Sequence, residues 1–215
     1  MVALIVTGGD CPPHEIIRTL ASDADYVVAA DSGFDVCLSA AIEPDVVVGD
    51  FDSIQYESLA RVPNDKVLRY PEEKDYTDTE LAIEAAMHRG AQKIVLAGGG
   101  SGRLDHLLAV RALFERENPI QEWHTAKESV FLVPARRSLH FSAPTPLIVS
   151  VFPLSQGARG MRSHGLKWPL DGLAWDCGHF GVSNKTVMPQ VEIFSGEEPI
   201  LVLLPLGTKA NILDD

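Results

Sequence analysis

The stretch PDVVVGDFDSIQ, Pro44–Gln55, decides how the chain is read. Three consecutive valines form a run suited to a strand buried on both faces, and that run ends in glycine and two aspartates around a phenylalanine. Carboxylates at the end of a buried strand are costly unless a cation accompanies them. The pattern therefore poses one structural and one chemical question: what sheet the strand belongs to, and what the cation is.

Working outward, the first half of the chain alternates. Val2–Thr7 is a β-rich run closed by Gly8-Gly9, and PPHEIIRTLAS places Ile16, Ile17 and Leu20 at helical spacing behind prolines suited to a first turn. DYVVAADSG is a second apolar run, FDVCLSAAI a short helical pattern, and DKVLRYPEEKD a fourth run after the Pro44 stretch. TDTELAIEAAMHRG is the best helix: Leu81, Ala82, Ala85 and Ala86 form its stripe and Gly90 its stop. KIVLAGGG and the helical LDHLLAVRALFERE complete the series. Short apolar runs alternating with helices predict an α/β domain, a Rossmann-like parallel sheet with flanking helices.

Beyond about Glu122 the pattern changes. SVFLVP, RSLHFS, PLIVSVFPL, GLKWPL, QVEIFS and PILVLLPL read as short strands separated by Gly, Pro and Ser, which predicts a small all-β sandwich or barrel. The expected domains are 1–124 and 125–215, packed directly with no low-complexity linker. The Asp214–Asp215 end is expected to fray.

In an open parallel sheet, ligands bind outside the carboxyl ends of the strands. The second predicted strand is followed by Asp31, Ser32 and Gly33, the third by Asp50 and Asp52, and the fourth by Lys74, Asp75, Thr77 and Asp78. The fifth is followed by Gly98–Gly100, Ser101, Gly102, Arg103 and Asp105. Singly, each has a plain structural reading. Asp52 or Ser53 can cap a helix, Thr77-x-x-Glu80 has the form of a capping box, Asp78 suits a helix dipole, and GGGSG can be a tight turn. GGGSG is neither GxGxxG nor a P-loop. Together they bring carboxylates, glycines and two cations to one edge. So many acids repel one another, and an oxygen-only donor set without His or Cys suits Mg²⁺, which in turn recruits a polyphosphate. Glycine amides around Gly100 and Ser101, with the Arg103 guanidinium, are candidate phosphate holders.

The whole chain sets limits on partners. Among 215 residues, 46% hydrophobic, the formal net charge is −12, which argues against broad contact with nucleic acid or anionic membrane. Cys11, Cys37 and Cys177 fit no disulfide framework or zinc motif, and MVALIVTGGD reads as a first strand rather than a signal peptide. A cytoplasmic location is expected, with no membrane span.

AADSG, PDVVVGDFDSI, KDYTDTELAI and GGGSGRLDHLLA, in this order, resemble the thiamine pyrophosphokinase family, with GLKWPL and GVSN continuing the likeness more loosely. The resemblance implies Mg²⁺-dependent transfer of the pyrophosphoryl group of ATP to the thiamine hydroxyl, giving thiamine diphosphate and AMP. It implies a homodimer with active sites between subunits, a nucleotide- and metal-binding α/β domain and a thiamine-binding β-domain. Carried over by position, Asp50, Asp52 and Asp78 are the metal acids, and Asp31, with Ser32 and Gly33, stands in the first nucleotide signature. Lys74, Asp75, Thr77, Arg103 and Asp105 lie around the phosphates, with Asp75 and Arg103 the catalytic candidates. Ser183 and Asn184 lie on the thiamine side, and Trp168 is a candidate aromatic face for the cationic substrate, with an ordinary core tryptophan as the alternative.

Two positions depart from the family pattern. Ser32 stands where Gly is usual, a strain if that residue takes positive φ. Lys185 adds a positive charge beside the Ser-Asn pair. Two other readings compete: the same chemistry on a different hydroxymethyl acceptor such as a pterin, and a non-catalytic nucleotide- or thiamine-binding module.

Overall fold

The computed structural model describes residues 1–51, 59 and 62–214. The chain divides into two compact units, Met1–Arg111 with Trp123–Ala126, and Ala112–Glu122 with Lys127–Asp215.

The first unit is built on β1 (Val2–Val6), β2 (Tyr26–Ala30), β3 (Val46–Gly49), β4 (Val67–Arg69) and β5 (Lys93–Ala97), in the order β5-β1-β2-β3-β4, all parallel. Ile5 of the central β1 pairs with Val28 on one side and Leu96 on the other. Strand β6 (Glu122–His124) lies beyond β5. Ala3 to Val6 are wholly buried, as a parallel strand covered on both faces requires. Around the sheet run α1 (His14–Ser22), α2 (Gly33–Ser39), α3 (Asp78–His88) and α4 (Leu104–Ala112). The chain steps outward from β1 to β4 and then returns to the other side of β1 as β5, so strand order reverses between β1 and β5.

In α3 the expected capping box is formed. Thr77 Oγ1 accepts from the Glu80 amide at 3.3 Å, while Glu80 Oε2 accepts from the Thr77 amide at 2.8 Å. Leu81, Ala82, Ile83 and Ala86 are the buried residues of this helix. That cap fixes where α3 begins, and so fixes Asp78 in its first turn.

The second unit is antiparallel. One sheet runs β13-β9-β15-β7 and another β11-β14-β8-β16, where β7 is Glu128–Val133, β8 Arg137–Ser142, β9 Ile148–Pro153, β11 Arg162–His164, β13 Gly181–Lys185, β14 Gln190–Phe194, β15 Ile200–Pro205 and β16 Ala210–Asp214. A short ladder joins β10 (Ala158–Arg159) to β12 (Ala174–Trp175). Phe131, Val149, Val151 and Val202 from the first sheet and Leu139, Phe141, Val191 and Ile193 from the second belong to one core. These are alternate residues of their strands, as packed sheets require.

Two expectations fail here. GLKWPL is not a strand: Gly165 has φ +86, and of this segment only Leu166 makes a bridge, to Thr186. Asp214 is not frayed, because β16 pairs with β8 through it and its carboxylate meets Arg137 at 2.6 Å; Asp215 lies outside the described residues. Among the described residues, no helix is long and apolar enough to cross a membrane.

Candidate active site

Asp31 closes β2 with φ +44, an unusual conformation for a non-glycine residue. Its amide donates to Val48 O at 2.8 Å, its carbonyl accepts from Phe34 N at 2.9 Å, and its Oδ1 is shielded from solvent. Ser32 is α-helical (φ −57, ψ −10), so the serine is unstrained; Asp31 carries the unusual angle instead. At Gly33 a Cβ would run into the carbonyl of Val6, so the start of α2 needs a residue without a side chain.

The GDFD segment works as a turn with an anchor. Phe51 takes φ +66 and buries its ring in the core of the first unit, while Asp50 remains at the sheet edge. The Arg69 guanidinium lies 4.9 Å from the Phe51 ring centroid and donates to Asp50 O at 3.3 Å. A side chain at Gly49 would press on Asp31, 3.3 Å from its Cα, which is how closely β2 and β3 deliver their acids. Asp52 lies outside the described residues.

Lys74 gathers the acids. Its Nζ lies 2.5 Å from Asp50 Oδ2 and 3.1 Å from Asp78 Oδ1, and the three side chains are only 12%, 14% and 24% exposed. Asp78 Oδ1 is buried and makes no aligned hydrogen bond, so its attraction to Lys74 is one of charge without good direction. Burial pushes the Asp78 carboxyl above the usual carboxylate range, Lys74 pulls it back, and the charges of Asp50 and Asp31 raise it again. Burial alone would lower the Lys74 ammonium, but the carboxylates of Asp50 and Asp78 outweigh that and hold it above the ordinary lysine value. Beside this group, Thr7 Oγ1 and Thr79 Oγ1 are 3.1 Å apart, linking the end of β1 to α3. Asp75 and Thr77 are exposed, and the Thr77 hydroxyl is engaged in the helix cap.

The glycine loop after β5 departs from expectation. The amide of Gly98 donates to His124 O, that of Gly99 to Gly8 O and that of Gly100 to Asp10 O, at 3.0, 2.8 and 3.3 Å. The first ties the loop to the end of β6, and the other two hold the loops after β1 and β5 together, so these donors are engaged within the protein. Gly98, at φ +104, also passes so close to Thr7 O that a side chain would collide. Ser101 is half-buried beside them. Arg103 pairs in a fork with Asp105 at 3.1 and 2.6 Å, both exposed, so these two meet each other rather than the Asp50–Lys74–Asp78 group.

In the second unit, Trp168 is 52% exposed, which removes the reading of a core tryptophan. Asn184 is buried and clamps its backbone: Oδ1 accepts from Trp168 N at 3.2 Å and Lys185 N at 2.8 Å, while Nδ2 donates to Trp168 O at 2.7 Å. Lys167 Nζ sits 4.6 Å from the Trp168 ring centroid. Ser183 is exposed at φ +59 within a bulge of β13, and Lys185 is exposed.

Comparison with known proteins bears on this arrangement. The family model for the thiamin pyrophosphokinase catalytic domain matches residues 17–121, which include Asp31, Asp50, Lys74, Asp78 and Arg103. The chain is 25% identical over 218 residues to the thiamine pyrophosphokinase of Bacillus subtilis (strain 168), covering 93% of this chain and 96% of that one. Its fold is shared with the crystal structure of the Bacillus subtilis thiamine pyrophosphokinase, at 22% identity and TM-score 0.79, covering 95% and 99% of the two chains. It is shared equally with a thiamin pyrophosphokinase family protein from Enterococcus faecalis, at 24% identity and TM-score 0.79, with the same coverage.

The Mg²⁺ that the sequence resemblance implies requires oxygen donors at the sheet edge. Among the described residues, no three His, Cys, Asp or Glu side chains form a metal cage. Asp50 and Asp78 nevertheless converge on a single cation, and Asp78 keeps a buried oxygen outside any aligned hydrogen bond. One or two carboxylates, with remaining positions left to water and phosphate oxygens, is the donor set Mg²⁺ prefers over a full protein cage. The residues fit that ion. Sequence reading missed the role of Lys74 as the partner of both acids, because Lys74 precedes the α3 cap and its contacts depend on the fold. It also missed Thr79 and the clamping function of Asn184, for which no local signal exists.

Proposed function

We propose that this protein transfers the pyrophosphoryl group of ATP to the hydroxyl of thiamine, forming thiamine diphosphate and AMP. The observation that carries the reading is the convergence of Asp50 and Asp78 on one cation at the carboxyl edge of the sheet, with Asp31 close enough to act on Asp78. That it occurs within a segment matched by the thiamin pyrophosphokinase catalytic domain supports the assignment. Asp50 and Asp78 would hold Mg²⁺, with Asp52 as the third family acid. Bound there, the ion supplies charge neutralisation for the phosphates.

The protein's own groups do the positioning on which phosphoryl-type transfer depends. Lys74 supplies a mobile positive charge, and Arg103, exposed and paired only at the surface with Asp105, supplies a fork for phosphate oxygens. Asp31, Ser32 and Gly33 form the nucleotide-side turn, with Thr77 fixing the start of α3. Asp75 orients the acceptor hydroxyl and takes its proton. In the second unit Trp168 offers an exposed face to the cationic thiazolium, with Asn184 holding it in place and Ser183 alongside. The working form is a cytoplasmic homodimer with active sites at the subunit interface.

A second reading, transfer to a neutral hydroxymethylpterin, is favoured by one observation: Lys167 already places a cation over Trp168. Presenting thiamine and a hydroxymethylpterin in competition, with ATP and Mg²⁺, separates the two. Thiamine diphosphate as the dominant product supports the proposal, whereas pterin diphosphate overturns the acceptor assignment. A protein that binds thiamine and forms neither product is a binding module.

A further inference from the structure

Lys74 stands between the two acids that would hold a divalent ion. Its Nζ contacts one oxygen of Asp50 and one of Asp78, and all three side chains are largely withdrawn from water. A cation that bridges the same two oxygens must take the space between them that the ammonium now fills. Two cations cannot share it at contact distance without strong repulsion in so poorly hydrated a place. The lysine can leave, however. It precedes the Thr77 cap, so it lies outside α3, and its four-carbon stem can swing without unwinding the helix. The poorly directed contact with Asp78 makes this half of the bridge the weaker one.

The geometry points to Lys74 as an internal counter-ion that keeps the metal position closed to free metal and is exchanged out when metal arrives with a polyphosphate. This rests on the metal reading of Asp50 and Asp78 given above. Exchange couples two events. For Asp50 and Asp78 to hold a divalent ion, the Lys74 ammonium would have to leave them, and it would then find new partners in phosphate oxygens. Free metal offers no such partners, so it binds poorly alone. Lys74 is thus a positioning residue that enforces loading of metal and nucleotide together.

The test uses full-length protein and Mn²⁺ alone, with free Mn²⁺ followed by electron paramagnetic resonance, for wild type, Lys74→Met and Asp78→Asn. Lys74→Met is expected to bind Mn²⁺ at least about tenfold more tightly than wild type, with Asp78→Asn losing the site. A second readout needs no variant: acetylation of Lys74 in the wild type, followed by mass spectrometry, is expected to accelerate several-fold on saturation with Mn²⁺. Where Lys74→Met does not fold, this labelling decides. If Asp78→Asn abolishes Mn²⁺ binding while Lys74→Met binds no more tightly and Lys74 labelling is unchanged, the exchange is overturned and the metal reading stands. If neither wild type nor Lys74→Met binds Mn²⁺, both are overturned.

Discussion

Replacing Asn184 by alanine tests how the β-rich unit presents Trp168. The amide side chain is 7% exposed and makes three hydrogen bonds, two accepted from the backbone amides of Trp168 and Lys185 and one donated to Trp168 O. Each such bond contributes about 1 kcal/mol net, so losing all three costs about 3 kcal/mol. At roughly 2–4 °C per kcal/mol for a chain of this size, Tm falls by about 6–12 °C. The neighbouring bond from Lys167 N to Lys185 O, at 2.8 Å, keeps the segment attached, so the indole is loosened rather than unfolded. Acceptor KM should therefore rise by about tenfold with kcat little changed, the signature of lost uniform binding. Asn184→Asp retains the two accepted bonds but sets an oxygen against Trp168 O, so it is expected to be at least as destabilised. Circular-dichroism melting and steady-state kinetics provide the readings. A variant that melts within about 1 °C of wild type with unaltered acceptor KM would refute the clamp, since bonds of this kind are not lost without cost.

Asp78→Asn should abolish turnover while becoming relatively more stable as pH rises. Because burial raises the Asp78 pKa, the folded protein holds that proton to higher pH than the unfolded chain, and wild-type stability declines from about pH 4 upward through the raised folded value. Denaturant unfolding in chelator at several pH values checks this; a stability difference that does not shift toward the variant with rising pH contradicts it. Thr77→Ala should lose about 1 kcal/mol, measurable by urea unfolding, because it breaks the capping box at the start of α3. Of the thiols, Cys177 is exposed and should react quickly with a disulfide reagent. Cys37, buried and pushed up to about 12, should react only after unfolding, and Cys11, pushed up to about 11 by burial and then by Asp10, should react slowly.

What could be read from the sequence was whatever short-range pattern encodes. The apolar runs ending at Val6, Ala30, Gly49 and Ala97 gave the parallel strands, and Thr77 with Glu80 gave the cap, because period and capping act within a few residues. The contact of Lys74 with Asp50 spans 24 residues and depends on β3 and β4 lying side by side, so no local signal marks it. The unusual backbone angles of Asp31 and Phe51 are likewise set by neighbouring strands rather than by residue type. GLKWPL looked like a strand because its composition is apolar; its backbone is held in a loop by Asn184, sixteen residues later. Asp214 looked frayed because its partner, Arg137 on β8, is distant in sequence. The amides of Gly98 to Gly100 read as donors awaiting a ligand, whereas His124 of β6 accepts the first and the loop after β1 accepts the other two, partners distant in sequence that no local pattern marks.

The central claim is tested most directly by incubating the protein with ATP, Mg²⁺ and thiamine and quantifying AMP and thiamine diphosphate together by chromatography. The account predicts both products in equal amounts, dependent on the metal and lost in Asp78→Asn. AMP formed without thiamine diphosphate, or product formation undiminished in Asp78→Asn, would contradict it.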